Sequence, residues 1–372
     1  MKVAVVGAGI AGLSTAWGLV RRGHDVLVFD RGSIPNPAAA SYDQHRLIRY
    51  HYPDRPLYAR MTGEAYAAWD TMWDEIGRRH YVETGALGLS RAAGDWTDRA
   101  AQALDEAGYG YDRLMPADID ERFPFLETSG VAWGLYMQRG GVLLADRIVT
   151  DLAVHLRERG VTLNEHAEVV EIDAARGAVR LAGGLEIAAD AIVVAAGAWA
   201  PKLLPGEAAR LRSHRVLCVY VDPPERYAEA WARGPGMIDY GFPDDHWSVP
   251  PVAGTQLKLS VAGNARPGDP DDDRQVTDGE AASMLARYRP VLRDIDAYRI
   301  LNARTCCYTY APEERFVVEQ HGRSWLVSAC SGHGFKFGAL VGLTLAEALA
   351  GGTPPEQVRR WAAALEPAPA ET

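Results

Sequence analysis

The opening stretch KVAVVGAGIAGLSTAWGLVRRGHDVLVFD constrains the fold more than any other. An apolar run, Val3 to Val6, meets Gly7, Gly9 and Gly12; an amphipathic stretch follows as far as Gly23, and a second apolar run, Val26 to Phe29, closes on Asp30. This order predicts a strand, a GxGxxG turn, a helix and a second strand, with the acid 18 positions after Gly12. Gly7 allows the tight turn, Gly9 lets backbone approach a pyrophosphate, and Gly12 lets the helix pack on the strand. The helix start offers free N–H groups and partial positive charge to phosphates, and Asp30 can accept from ribose hydroxyls. A plain βαβ unit with a glycine turn is the alternative. The same stretch has no charge from Val3 to Val20, so by length alone it resembles a short membrane span or signal core. Its glycines, the single Lys2 ahead of it and Arg21 and Arg22 behind it argue for a folded unit instead.

The unit alone does not separate FAD from NAD; its distribution along the chain does. A helical pattern from Asp146 to Arg159 leads into short strands broken by Gly and Asn, and the last of these, Ala191 to Ala196, runs into Gly197 and Trp199. A further apolar strand, Trp325 to Ala329, precedes a glycine turn that opens a helix ending near Gly351. Three distant pieces would then build one nucleotide-binding sheet, as FAD oxidoreductases commonly require. The expected fold class is α/β with an α+β second domain: an FAD-binding Rossmann-like domain of glutathione-reductase type plus a discontinuous substrate domain with a mixed β-sheet. The FAD domain is expected at 1–80, 141–210 and 304–366, the substrate domain at 81–140 and 211–303, and a frayed tail at 367–372. ARPGDPDDDRQVTDGE reads as a solvated acidic loop.

A chain of 372 residues with 48% hydrophobic and 24% charged content suits a soluble protein of about two domains. Its formal charge of -10 argues against nucleic acid or an anionic membrane as partner. Four cysteines in so long a chain suggest a reducing, cytoplasmic setting. Two of them, Cys306 and Cys307, are adjacent. A disulfide between them is disfavoured, because neighbouring Cα atoms lie about 3.8 Å apart and bridged ones at about 4.4–6.8 Å. No CxxC or HxxxH spacing surrounds them, so no metal site is expected. Strand alternation puts Cys306, Tyr308 and Tyr310 on one face and Cys307 and Thr309 on the other.

Over nearly its whole length the chain resembles the amine-oxidising branch of the D-amino-acid oxidase superfamily, above all the monomeric sarcosine oxidase and N-methyltryptophan oxidase family. The segments that carry the resemblance are HRLIRYHY, GGVLLADR, AAGAWAPKLL, QLKLS, CCYTYAPEERFVVE and SGHGFKF, the last two being the most specific. The resemblance implies FAD joined through its 8α carbon to Cys306, with Tyr308 near the substrate and Cys307 a packing residue. It implies that Arg49 and Lys336 bind the substrate carboxylate, that Arg46 lies near the flavin, and that Lys258 activates oxygen by easing the negative charge that O2 takes up. Val169, Gly197, Trp199, Gly332, Gly334 and Lys336 are the further expected cofactor contacts. By periodicity alone, Lys258 in TQLKLSV would sit on a half-solvated strand. The turn Gly332 to Gly334 opens a helix whose positive end would face the flavin's pyrimidine oxygens and stabilise the anion formed on reduction, the alternative being an ordinary Ser331-capped helix start.

Departures from the family matter. Its active-site histidine four residues after the lysine is Ala262 here, its active-site tyrosine aligns with Trp247, and its paired-histidine loop reads AASYDQH. A vacated imidazole would leave space for a ring or a larger side chain. The expected activity is oxidation of a secondary or cyclic amino acid to an imine by a monomer, with O2 as acceptor and H2O2 as product. A dehydrogenase serving a carrier, or a non-catalytic flavin module, are the alternatives.

Overall fold

The computed structural model describes residues 1–367 apart from 244 and 273. Its first layer is a six-stranded sheet in the order Val317–His321, Ser324–Ser328, Ala191–Val194, Lys2–Val6, Asp25–Phe29, Thr162–Asn164. All neighbours run parallel except the edge strand Val317–His321. Parallel strands covered on both faces need continuous apolar runs, and Val3, Val5, Ile192 and Val193 are fully buried. The three distant pieces of sequence therefore meet in one sheet.

The helices Ile10–Arg21 and Gly338–Leu349 cover one face and touch backbone to backbone. A Cβ on Gly18 would stand 2.6 Å from the Gly342 carbonyl oxygen, and one on Gly342 would stand 2.3 Å from that of Ser14. Glycine at both positions lets the axes close to a distance that larger residues forbid. The start of the second helix is thereby pinned beside the glycine turn, and Gly338 lies against Ile10. Lys336, just ahead of it, is carried to the same place.

A second, nine-stranded mixed sheet takes Ala86–Ser90, Asp112–Leu114, Trp133–Met137, Arg212–Asp222, Gly236–Asp239, His246–Val249, Leu257–Val261, Arg266–Pro267 and Arg299–Tyr310. Only Gly236–Asp239 and Ala86–Ser90 pair in parallel. The long strand Arg299–Tyr310 pairs antiparallel along the whole of Arg212–Asp222, and so runs across the expected division between residues 303 and 304. Two small sheets complete the chain: a meander of Val169–Asp173, Ala178–Leu181 and Glu186–Ala188, and a trio of Arg46–Ile48, Gly141–Leu143 and Tyr81–Glu83. Among the described residues no helix is long and apolar enough to cross a membrane.

Two readings from local pattern fail. Strand Leu257–Val261 is buried at every position rather than half-solvated, because Leu257, Leu259 and Val261 pack into an apolar core on one face and Lys258 meets Asp43 and the His45 carbonyl on the other. The acidic loop is solvated as expected, with Asp269, Asp271 and Asp272 exposed. Asp269 and Asp271 ion-pair with Lys202, and Asp271 also with Arg31; further on, Thr277 and Glu280 form a capping box for helix Asp278–Ala286. Ser331 caps nothing, and its hydroxyl instead accepts a hydrogen bond from the Ala311 amide. The expected frayed tail lies outside the described residues beyond position 367.

Candidate active site

A cavity of about 480 Å³ runs from the glycine turn to the edge of the second sheet. Gly7, Gly9, Asp30, Val169, Gly197 and Trp199 line one end. A Cβ on Gly7, whose φ is 103°, would stand 2.4 Å from the Ala195 carbonyl oxygen, and one on Gly9 would stand 3.1 Å from Ser41 Oγ. Only bare backbone leaves this cradle open. Gly12 does not line it; a Cβ there would meet the Gly7 carbonyl oxygen at 1.9 Å, so its task is helix-to-strand packing. Asp30 accepts from the Ala8 amide at 2.9 Å, the Gly32 amide at 2.9 Å and Asn36 Nδ2 at 2.7 Å. It shapes the turn as well as facing the cavity. At the mouth, Asp271 accepts from Trp199 Nε1 at 2.8 Å and from Arg31 at 2.6 Å.

Further in, Lys258 and Asp43 form an ion pair with both side chains 1% exposed. Asp43 Oδ2 also accepts from Arg46, while Oδ1 accepts from the Tyr220 hydroxyl and the Gln44 amide. Burial alone would raise the Asp43 pKa, but the Arg46 and Lys258 charges hold it well below the usual carboxylate range. Burial opposes the Arg46 charge too, and Asp43 outweighs it, lifting that guanidinium well above its ordinary value. Lys258 Nζ lies 5.5 Å from the Trp247 ring centre. His45, buried beside it, donates from Nε2 to the Gln256 carbonyl at 2.8 Å, since a carbonyl only accepts. Burial pushes His45 down to about 3, so it is neutral at physiological pH.

Arg49 and Lys336 also line the cavity. Lys336 Nζ donates to the Tyr52 hydroxyl at 2.9 Å and the His333 carbonyl at 2.8 Å. Burial, reinforced by the Arg49 charge, holds its pKa well below the usual lysine range. Arg49 donates to the His51 carbonyl and lies over the Tyr52 ring at 4.5 Å and the Trp96 ring at 5.7 Å. Among the described residues neither of these two cations makes an ion pair. Leu47, Ile238, Trp247 and Val249 supply an apolar wall to the same cavity.

Nearly every expected residue thus converges on one space: Arg46, Arg49, Trp247, Lys258, Tyr308, Gly332, Gly334 and Lys336 all line it. Cys306 does not. It packs with Val216 and Tyr308 against Ala40 and Cys330, its Sγ 3.8 Å from Arg46 Nη2, whereas Cys307 and Cys330 reach the lining. Ala262 lies in an exposed turn away from the lining, so the vacated space expected there does not form part of this cavity. Asp43, His45 and Tyr220 were missed from sequence. Asp43 is the lone acid of AASYDQHR, a weak signal, and no local pattern marks the other two.

The family model for FAD-dependent oxidoreductases matches residues 2–348. The chain belongs to that family. This oxidoreductase is 27% identical over 355 residues to the peroxisomal sarcosine oxidase of Mus musculus, covering 92% of this chain and 90% of the relative. It is 26% identical over 372 residues to the monomeric sarcosine oxidase of Streptomyces avermitilis, covering 94% of each. Among solved structures, the L-proline dehydrogenase from P. horikoshii superposes with a TM-score of 0.83 at 19% identity, covering 98% of this chain and 96% of that one, and shares the fold. The family is FAD-dependent, and the glycine cradle ending beside Asp30 fits the pyrophosphate and ribose of that cofactor.

Proposed function

We propose that the enzyme is an amine oxidase of the sarcosine-oxidase type, oxidising a secondary or cyclic amino acid to an imine with O2 as acceptor and H2O2 as product. One observation carries the reading: two cations, the half-buried Arg49 and the buried Lys336, face one cavity beside an apolar wall, and among the described residues neither makes an ion pair. A carboxylate is the chemistry that such a pair recognises, since Arg49 offers a planar fork and Lys336 a point charge. An anion there also favours the charged form of Lys336, whose pKa burial and the Arg49 charge hold down. Leu47, Ile238, Trp247 and Val249 receive the aliphatic or ring body of the substrate. The titratable groups facing this end are cations or neutral, so the substrate enters as the free amine and needs no dedicated base.

Bound FAD supplies the acceptor for the hydride equivalent. Lys258, a fixed cation in a dry site, stabilises the negative charge that O2 takes on during its reduction. Tyr308 and Arg46 line the wall between these groups and Cys306. The covalent link to FAD is assigned to Cys306, supported by its position behind Tyr308 with Arg46 against its sulfur. Acid precipitation tests it: a yellow pellet in wild type and in Cys307→Ser, and a colourless one in Cys306→Ser. A yellow Cys306→Ser pellet overturns the assignment. The protein is read as a monomer of a reducing, cytoplasmic compartment, and a sedimentation measurement of its mass tests the first part.

A dehydrogenase that passes electrons to a carrier is the second reading, favoured by the Asp43 carboxylate that meets the Lys258 charge. Reoxidation in air separates the two. Fast return of the yellow colour after anaerobic reduction supports the oxidase, and a colour that returns only when an artificial carrier is added supports the dehydrogenase.

A further inference from the structure

We propose that Asp43 is a positioning residue that fixes Lys258 as a cation facing the cavity and thereby sets how the enzyme reacts with oxygen. The proposal rests on the reading of Lys258 as the oxygen-activating group. The geometry is specific. Asp43 and Lys258 come from a loop and a strand 215 positions apart, and each side chain is 1% exposed. Both oxygens of the carboxylate are engaged: Oδ2 by Lys258 and Arg46, Oδ1 by Tyr220 and the Gln44 amide. The other groups around the amine are Arg46, a like charge; His45, neutral, whose carbonyl lies 3.5 Å from Nζ; Tyr220 and Cys218, both held protonated by burial; and the Trp247 face. Asp43 is therefore the counter-charge that keeps a buried ammonium ionised beside a guanidinium. Without it, desolvation and Arg46 both favour the neutral amine.

The consequence is a pH signature that scaffolding alone would not produce. Reoxidation of the reduced enzyme by O2 is followed from about pH 6 to about pH 9.5, a span in which each unit beyond a lysine's titration costs about tenfold. The wild type stays level, and so does Asp43→Glu, which keeps the charge. Asp43→Asn is fastest at the acid end and declines toward the alkaline end, while Lys258→Met is slow throughout, by about 100-fold or more. A second readout needs no turnover. Melting temperatures of the oxidised holoproteins form a double-mutant cycle, in which Asp43→Asn/Lys258→Met melts above Asp43→Asn because it removes the stranded charge together with its partner. An Asp43→Asn profile that is lower but level, or additive losses in melting temperature, would overturn the proposal. Should Asp43→Asn not accumulate as soluble protein, the double variant decides: soluble, it supports the pairing; insoluble, it refutes it. Lys258→Met that reoxidises at the wild-type rate removes the underlying reading instead, and the proposal with it.

Discussion

Lys336 and Lys258 are both buried lysines, yet their charges are met differently. Lys258 has Asp43; Lys336 has a hydroxyl, a carbonyl and the repulsion of Arg49, which together with burial depresses its pKa. A carboxylate ligand reverses that depression. In the pH range between the free and bound values of Lys336, binding takes up a proton, and affinity weakens as pH rises, by up to about tenfold per unit. Inhibition by a simple carboxylate measured across pH should show this slope, and Lys336→Met should abolish it. Arg49→Met should cost about 1.5–3 kcal/mol of substrate binding, roughly 10- to 150-fold, read as KM against a carboxylate substrate. A different residue makes a stability test. Burial raises Asp239 to about 6 although it accepts from Thr97 and the Gly241 amide. Because the folded value is raised, its contribution is full below the unfolded carboxyl value and is lost as pH rises through about 6. Asp239→Asn, which can keep both hydrogen bonds, should therefore melt higher than wild type at about pH 8, by at most about 3 kcal/mol, and the advantage should vanish near pH 4.

At the scale of elements, helices Ile10–Arg21 and Gly338–Leu349 meet backbone to backbone at Gly18 and Gly342. Gly342→Ala must push backbone aside, since its Cβ would stand 2.3 Å from the Ser14 carbonyl oxygen. Overpacking of this kind costs about 1–3 kcal/mol. Thermal melting should register the loss, and FAD content should fall with it because the same helix start carries Lys336. Much of this level was legible beforehand. The first βαβ unit spans contiguous residues whose periods of two and 3.6 are set by local geometry, and two later strands of that sheet, Ala191–Val194 and Ser324–Ser328, announced themselves as apolar runs leading to glycine. What was not legible depends on neighbours distant in sequence. Lys258 looked half-solvated because alternation reports one strand, while burial of both faces comes from groups distant in sequence: an apolar core against Leu257, Leu259 and Val261, and Asp43 and His45 against Lys258. Asp43 could not be singled out because its partner is 215 positions away, and Ala262 drew notice only through an alignment that the exposed turn does not bear out as part of the cavity.

For the molecule as a whole, the cavity draws its walls from both large sheets: the glycine cradle from one, Trp247, Lys258 and Tyr308 from the other. A ligand filling it ties the two together, and binding to the folded state alone stabilises by about 2.7 kcal/mol at a hundredfold excess over Kd. In Cys306→Ser, where FAD is expected to exchange, removing it should lower the melting temperature by several degrees and restoring it should recover the loss. The central claim is that Arg49 and Lys336 hold a carboxylate so that the neighbouring amine is oxidised. Anaerobic bleaching of the flavin by N-methyl and cyclic amino acids, each compared with its own methyl ester, tests this most directly. Bleaching by the free acids with little or none by the esters is the predicted result; equal rates for acid and ester, or no bleaching by any of them, would contradict it.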